Sequence, residues 1–237
     1  MLTEEKDRRR MMDISMLEET IKDGGRAVLL LRHAERPPLD PGDTTFGIDL
    51  PITGHGRETA KRYGKMLSGI VGPESLRAYA SETLRTRQTA DCLWEGFLRS
   101  GADSNGMVTL LPELGGESPF FGRLDERMAL IAEGRYLERL NEYFRNGVQL
   151  GYKPLEEATA KMEECLCHLL DDGVQLVVAV THDINVASFL AGRGVEKEFD
   201  RQSWPHYLDA AVVSRTANGE MRYGFLRYEP SSDGGCI

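Results

Sequence analysis

The chain has little cysteine and no long hydrophobic run. Its 237 residues include four cysteines: Cys92, Cys165, Cys167 and Cys236. Their spacing is not that of a disulfide framework. Cys165 and Cys167 are two residues apart in a predicted helix, so their side chains point in different directions and cannot share a metal ion. We therefore expect free thiols rather than a bridge or a metal site. The longest apolar runs, such as Ala27–Leu31 and Leu176–Val180, are too short to span a bilayer. We therefore expect no membrane partner.

Positive charge is also in deficit. The 29 lysines and arginines stand against 38 acidic residues, for a net charge of -9, which would repel a nucleic acid backbone. A site for an anion must therefore be built from locally clustered cations. Residues 1–26 are charged throughout and have no apolar core of the kind that a secretory signal needs, so we expect a cytoplasmic protein.

Short apolar runs alternate with segments of helical periodicity along most of the chain. The predicted strands are 27–31, 76–80, 107–111, 174–180, 210–215 and 221–228. Strands that alternate with helices imply right-handed crossovers and a mostly parallel sheet that is covered on both faces. The predicted fold class is therefore α/β, a three-layer α/β/α sandwich with a mostly parallel central sheet.

Charged side chains cluster where these strands end. The candidates are Arg32, His33 and Arg36 after the first strand, Arg85 after the second, and His182 and Asp183 after the strand 174–180. In such sheets ligands bind outside the carboxyl ends of the strands. We therefore expect these side chains to share one site.

This set of side chains suits chemistry on a phosphoryl group. Guanidinium groups such as those of Arg32, Arg36 and Arg85 can bind phosphoryl oxygens in pairs. A neutral imidazole can attack phosphorus when its other ring nitrogen is held, and His33 is the better nucleophile because a buried strand places it rigidly. Asp183 could protonate the leaving alkoxide without a metal. No phosphate-loop motif is present, so we expect no nucleotide cofactor.

Four segments resemble the motifs of the histidine phosphatase superfamily. Arg32-His33-Ala34-Glu35 resembles its Arg-His-Gly signature with Ala in place of Gly, and Ile52–Ala60 is similar to its Leu-Thr-x-x-Gly-x-x-Gln-Ala helix start. Ser81–Ala90 is similar to its Ser-x-x-x-Arg-x-x-Gln-Thr-Ala element, and Thr181-His182 supplies its second histidine. The resemblance implies a fold like that of phosphoglycerate mutase.

The resemblance also implies roles for the residues at the strand ends. His33 takes the phosphoryl group, and Asp183 protonates the departing alcohol and then activates water. The residues that hold the transferred group are Arg32, Arg36, Arg85 and His182. The implied organisation is a single domain over 1–237, with an N-terminal helix in 1–25 and a cap insertion at 112–152.

The identity of the proton donor depends on the branch of the superfamily. Arg32–Pro38 and His182–Ala187 resemble the acid phosphatase branch, whose Asp after the second histidine protonates the leaving group. The mutase branch instead uses a Glu shortly after the third strand, and Glu113 occupies about that place. We favour Asp183, and whether Glu113 shares or replaces its role stays open.

We expect a phosphomonoesterase that acts on a small phosphorylated metabolite without metal or other cofactor. A phosphomutase of the same superfamily and a non-catalytic scaffold that binds a phosphorylated ligand are the alternatives. Neither the substrate nor the oligomeric state follows from the sequence. The insertion contains a charged helix that we extend through Gly134, with five arginines interleaved with acidic residues: Arg123, Arg127, Arg135, Arg139 and Arg145. We interpret these arginines as a solvated face with compensating pairs.

Overall fold

A computed structural model describes residues 14–40, 47–98 and 108–229. The helices in these ranges are α1 (Ile14–Lys22), α2 (Gly54–Leu67), α3 (Leu84–Phe97), α4 (Leu124–Ala132), α5 (Tyr136–Asn146), α6 (Leu155–Leu170) and α7 (Asp183–Gly192). The strands are β1 (Arg26–Arg32), β2 (Leu76–Ala80), β3 (Val108–Leu110), β4 (Leu176–Thr181), β5 (Ala210–Arg215) and β6 (Met221–Leu226). Short 3-10 turns precede β2 and follow β3.

All six strands form one sheet in the order β3-β2-β4-β1-β5-β6. The four strands from β3 to β1 are parallel, and β5 and β6 are antiparallel additions. The register aligns the carboxyl ends of the central strands, because Arg32 pairs with Thr181 and Ala80 pairs with Val180. The expected mostly parallel sheet is confirmed, and its central strands end at one edge.

Helices cover both faces of the sheet. Val28 and Leu30 of β1 pack into a core with α6 and α7, whereas Leu29 and Leu31 pack into a second core with α1, α2 and α3. Successive side chains of a strand point to opposite faces, so a continuous apolar run is required in a strand that is buried on both sides. The expected three-layer α/β/α architecture is confirmed.

The insertion contains two helices instead of the one that the sequence predicted through Gly134. That glycine has a φ of 71°, which is left-handed backbone that ends α4 after Ala132 and lets α5 begin at Tyr136. The N-terminal helix prediction is confirmed from Ile14 to Lys22, and its earlier part lies outside the described residues.

The state of the cysteines and the presence of a membrane-spanning helix can be examined in the described residues only. Cys92, Cys165 and Cys167 are free thiols, while Cys236 lies outside the described residues. Within residues 14–40, 47–98 and 108–229, no helix is long and apolar enough to cross a membrane.

Candidate active site

His33 lies immediately beyond β1 and is held on both sides by backbone hydrogen bonds. Its N–H donates to Thr181 O at 3.0 Å, and the next amide, of Ala34, donates to Thr89 Oγ1 at 3.0 Å. His33 is 3% exposed, and its Nδ1 lies 2.8 Å from Ala34 O. Because a carbonyl can only accept, Nδ1 carries the proton and Nε2 keeps a free lone pair.

Both histidines of the site are neutral imidazoles near pH 7. Burial lowers the pKa of His33 well below its usual range, and the neighbouring His182 lowers it further. Burial and the charge of Arg85 lower the pKa of His182 to about 3. The two ring centroids are 5.5 Å apart. The site thus combines an uncharged potential nucleophile with nearby positive charge.

His182 is oriented by a network at the end of β2. Arg85 donates from a terminal guanidinium nitrogen to His182 Nδ1 at 3.3 Å, so His182 Nε2 carries the proton and lies 3.3 Å from Ser81 Oγ. Ser81 Oγ is in turn 2.8 Å from Thr86 Oγ1. The Ser-x-x-x-Arg element therefore positions the second histidine through both of its polar residues.

Three arginines converge on the same edge with unused donors. Arg85 is 7% exposed and donates to Gly47 O at 2.6 Å, and burial, followed by the charge of Arg36, lowers its pKa to about 10. Arg36 donates to Pro37 O at 2.7 Å. The Nε atoms of Arg32, Arg36 and Arg85 are buried without a hydrogen-bond partner. Buried unpaired donors of this kind suit an oxyanion ligand.

Asp183 begins α7 directly after His182 and contacts Arg32. Its Oδ1 accepts from the Ile184 amide at 2.8 Å, and its Oδ2 lies 3.0 Å from the guanidinium of Arg32 and accepts from Trp204 Nε1 at 3.2 Å. Burial acts to raise the pKa of Asp183, but Arg32 and His33 outweigh it and hold the pKa at about 2. The carboxyl, with 34% of its side chain exposed, is thus ionised near pH 7.

Glu113 lies in the turn after β3, apart from this cluster. One of its carboxylate oxygens is buried without a hydrogen-bond partner. Burial raises the pKa of Cys165 on α6 to about 11, and the charge of Glu113 adds to the rise, which places Glu113 beside α6. In the described part of the chain, neither a hydrogen bond nor an ion pair joins Glu113 to His33, His182 or the three arginines.

The segment before β5 adds residues that the sequence did not single out. Tyr207 lies under Arg32, with the guanidinium carbon 4.3 Å from the ring centroid, and its ring is 5.7 Å from that of His33. Arg32 also donates to Pro205 O at 2.6 Å. No sequence motif marks this segment. Its two aromatic residues, Trp204 and Tyr207, were the available signal.

The Thr-x-x-Gly motif at the start of α2 fixes the chain that follows His33. Thr53 Oγ1 accepts from the Gly56 amide at 2.9 Å and donates to Glu35 Oε1 at 2.7 Å. A Cβ at Gly56 would lie 2.4 Å from Glu35 O, so only glycine allows this close approach. The motif therefore supports the segment that follows His33.

The described residues contain no group of three or more His, Cys, Asp or Glu side chains that could hold a metal ion. The charge in this site comes from guanidinium groups. Its arrangement can bind a phosphoryl dianion between Arg32, Arg36 and Arg85 and present His33 Nε2 to it.

Comparisons with known proteins agree with the fold. Residues 28–213 match the model of the histidine phosphatase superfamily (branch 1). Among solved structures, a phosphoglycerate mutase from Bacillus anthracis is 15% identical over 85% of this chain and 92% of that chain, with a TM-score of 0.56. A protein described as mycobacterial hydrolase 2 is 17% identical over 88% of this chain and 94% of that chain, with a TM-score of 0.57.

A mycobacterial glucosyl-3-phosphoglycerate phosphatase is 16% identical over 85% of this chain and 97% of that chain, with a TM-score of 0.51. At such identities the structures show the fold alone. No curated protein matches this chain by sequence. The acid phosphatase resemblance concerns two short motifs around His33 and His182, whereas the family match extends over most of the chain. On that match, the chain belongs to the histidine phosphatase superfamily.

Proposed function

We propose that this protein is a metal-independent phosphomonoesterase that hydrolyses a small phosphorylated metabolite through a phosphohistidine intermediate. The observation that carries the proposal is the state of His33: a buried, neutral imidazole with Nδ1 hydrogen-bonded at 2.8 Å and Nε2 free. A neutral imidazole at a cationic site is the form that can attack phosphorus. The proposed partner is a phosphomonoester, and no nucleic acid or membrane takes part.

The first step forms a bond between His33 Nε2 and phosphorus and breaks the bond between phosphorus and the alcohol oxygen. Arg32, Arg36 and Arg85 hold the peripheral oxygens and compensate the charge that develops on them. His182, held between Arg85 and Ser81, orients the guanidinium of Arg85 at the same edge. Since His33 is neutral beforehand, no proton has to leave it before the attack.

Asp183 is the proposed proton donor to the leaving alcohol. Before substrate binds, Arg32 keeps it ionised. A phosphoryl dianion bound to Arg32 adds negative charge beside the carboxyl and raises its pKa, so the carboxyl binds a proton when the substrate is in place. Asp183 then gives this proton to the departing alkoxide and, as a carboxylate, takes one from the water that cleaves phosphohistidine.

The proposal is tested by measuring phosphate release from a panel of phosphorylated metabolites by wild type and His33→Ala. We expect the variant to lose turnover, because it lacks the nucleophile, and to lose the acid-labile phosphate label that wild type acquires. His55→Ala removes an exposed histidine at the start of α2 and should change neither result.

Each alternative predicts a different result in the same assay. A phosphomutase would move the phosphoryl group between hydroxyls with little free phosphate, and a non-catalytic scaffold would bind phosphorylated ligands without either reaction. Retention of wild-type turnover by His33→Ala would contradict the covalent mechanism.

A further inference from the structure

Not all arginines of the insertion are exposed and paired with acidic side chains. Ion pairs occupy three of them: Arg123 with Asp125 and Glu126, Arg135 with Glu138, and Arg139 with Glu133 and Glu142. Arg145 is exposed and donates to a backbone carbonyl. Arg127 differs from all of these, because within the described residues its guanidinium has neither an ion pair nor a hydrogen bond. The expectation of a solvated, paired face is therefore wrong for Arg127.

Arg127 is held in a partly buried position by its neighbours. Its guanidinium carbon lies 3.9 Å from the ring centroid of Phe121, and a Cβ at Gly151 would lie 2.8 Å from Arg127 Cγ. Its Nε is buried without a hydrogen-bond partner. The Nε atoms of the three phosphoryl-site arginines share this feature. A partly buried guanidinium without a counter-charge is stabilised when an anion pairs with it.

Two phenols face the same place. The hydroxyls of Tyr136, at the start of α5, and Tyr152 are 2.6 Å apart, so one donates to the other and the second hydroxyl hydrogen is available to a ligand. Phe121 and Tyr152 form a β-bridge, and their ring centroids are 6.4 Å apart. Because Phe121 also contacts Arg127, it lies between this arginine and the two phenols. Guanidinium and phenol donors thus form one polar group on the insertion.

This group lies on the Asp183 side of the site. Helix α5 packs against α7, which begins at Asp183. Burial raises the pKa of Tyr136 and of Tyr152, and the charge of Asp183 adds to both rises while that of Arg127 opposes them. Both charges therefore act on the same pair of phenols. The proton donor, which must face the leaving alcohol, and the insertion donors are neighbours.

We propose that Arg127, Tyr136 and Tyr152 form a subsite for an oxyanion on the leaving group, so that the preferred substrate is a phosphomonoester whose alcohol carries a carboxylate or a second phosphate. The inference rests on the proposed function, because it takes Asp183 to mark the leaving-group side. Arg127 supplies the charge, and the free phenol hydrogen supplies a directional donor. Phe121 and the phenol rings leave apolar surface for a short carbon chain between the two anionic groups.

The test compares ω-carboxyalkyl phosphates of about three to six carbons with plain alkyl phosphates of equal length. At the length that fits, we expect wild type to prefer the carboxylate in kcat/KM by at least about tenfold, typical of a hydrogen-bonded charge pair. The α,ω-bisphosphates of the same lengths distinguish a second phosphate from a carboxylate, and a preference for either oxyanion supports the subsite.

Variants assign the preference to Arg127. Arg127→Gln should lose about tenfold or more in kcat/KM for the anionic substrate and less than about twofold for the plain one. Arg127→Lys should keep part of the preference, and Tyr136→Phe should lose part of it. Arg123→Gln is the matched control, because that arginine is exposed and ion-paired near the start of the same helix. Should Arg127→Gln fail to fold, Arg127→Lys and Tyr136→Phe carry the test.

Binding to His33→Ala, measured by calorimetry with the same phosphate pairs, separates this inference from the proposed function. If wild type turns over no phosphomonoester, the proposed function fails, yet a Kd preference for the anionic member that Arg127→Gln removes still supports the subsite. Equal Kd and kcat/KM for anionic and plain members at every length would overturn it. So would an equal loss in Arg123→Gln.

Discussion

The proposed mechanism requires Asp183 to be ionised before substrate binds and protonated when the alcohol leaves. Arg32 at 3.0 Å and the indole N–H of Trp204 at 3.2 Å both favour the carboxylate. In the proposed mechanism, substrate binding reverses this balance because the phosphoryl dianion pairs with Arg32. Once Asp183 has given its proton to the alcohol it is again a carboxylate, and in the proposed second step it accepts a proton from the water that cleaves phosphohistidine.

Asp183→Asn should slow hydrolysis of alkyl phosphates far more than that of aryl phosphates with acidic phenols. An alkoxide of high pKa needs a proton in the transition state, whereas a nitrophenolate hardly does, and general acids contribute about 100- to 10,000-fold. The measurement is kcat/KM across a leaving-group series. Glu113→Gln, which alters the carboxyl beside Cys165, should slow all members little and equally. A steep leaving-group dependence in Glu113→Gln instead would assign the proton donor to Glu113.

Residues at strand ends could be predicted, and residues brought in by a distant loop could not. His33, Arg85 and His182 follow buried strands, so the rule for parallel sheets places them at one edge. Tyr207 reaches Arg32 only because the segment before β5 folds back over that edge, a contact between residues 175 positions apart in the chain. No local pattern encodes such a contact.

At the level of elements, two glycines set the distance between α2 and α3, the helices that support the site. A Cβ at Gly64 would lie 1.9 Å from Leu93 O, and a Cβ at Gly96 would lie 1.9 Å from Lys61 O. The backbones of the two helices are therefore in direct contact. Helix α2 begins beside the segment that follows His33, and α3 carries Arg85. Contact between the two helices therefore fixes the position of Arg85 relative to His33.

Gly96→Ala should lower the free energy of unfolding by about 1–3 kcal/mol, because the added methyl group forces the helix backbones apart. This cost exceeds the gain of roughly 1 kcal/mol in helix propensity. Urea denaturation measures the difference. Gly54→Ala is the matched control, since nothing lies within 4 Å of a Cβ at Gly54 at the start of α2. A neutral Gly96→Ala would mean that the helices are not packed this closely.

Helix boundaries within the insertion were less predictable than the strands. A glycine within a helical pattern is compatible with a continuous helix at a small cost or with a left-handed break. The apolar spacing around Gly134 does not distinguish these cases, and the packing of α5 against α7 favours the break. Tertiary contacts thus decide what local periodicity leaves open.

At the scale of the whole molecule, the sequence predicted a parallel α/β sheet but not its strand order. Alternating strands and helices require crossovers, and every apolar run needs burial on two faces. That β4 lies between β2 and β1 follows from how the helices of both layers pack together. This position brings Thr181 beside Arg32, and so brings His182 to His33.

The burial of two neutral histidines makes the stability of the whole fold depend on pH. His182 has a pKa of about 3 in the folded chain, and that of His33 is also lowered from 6.5. Between these values and 6.5, the unfolded chain binds protons that the folded chain does not. The contribution of the two histidines to the free energy of unfolding should therefore be fully present above a pH of about 6.5, and it should be lost as the pH falls below that value.

We accordingly expect the Tm of wild type to decrease between pH of about 6.5 and 5, a window above the range in which most carboxyl groups titrate. His33→Asn removes one of the two protons that unfolding takes up, so its Tm should decrease less steeply over this window. Thermal unfolding in buffers without phosphate measures the slope, since phosphate would occupy the site. His55→Asn, at an exposed position, should keep the wild-type slope. Equal slopes in His33→Asn and wild type would show that His33 binds protons alike in the folded and unfolded chain, which would also weaken the case for a buried neutral nucleophile.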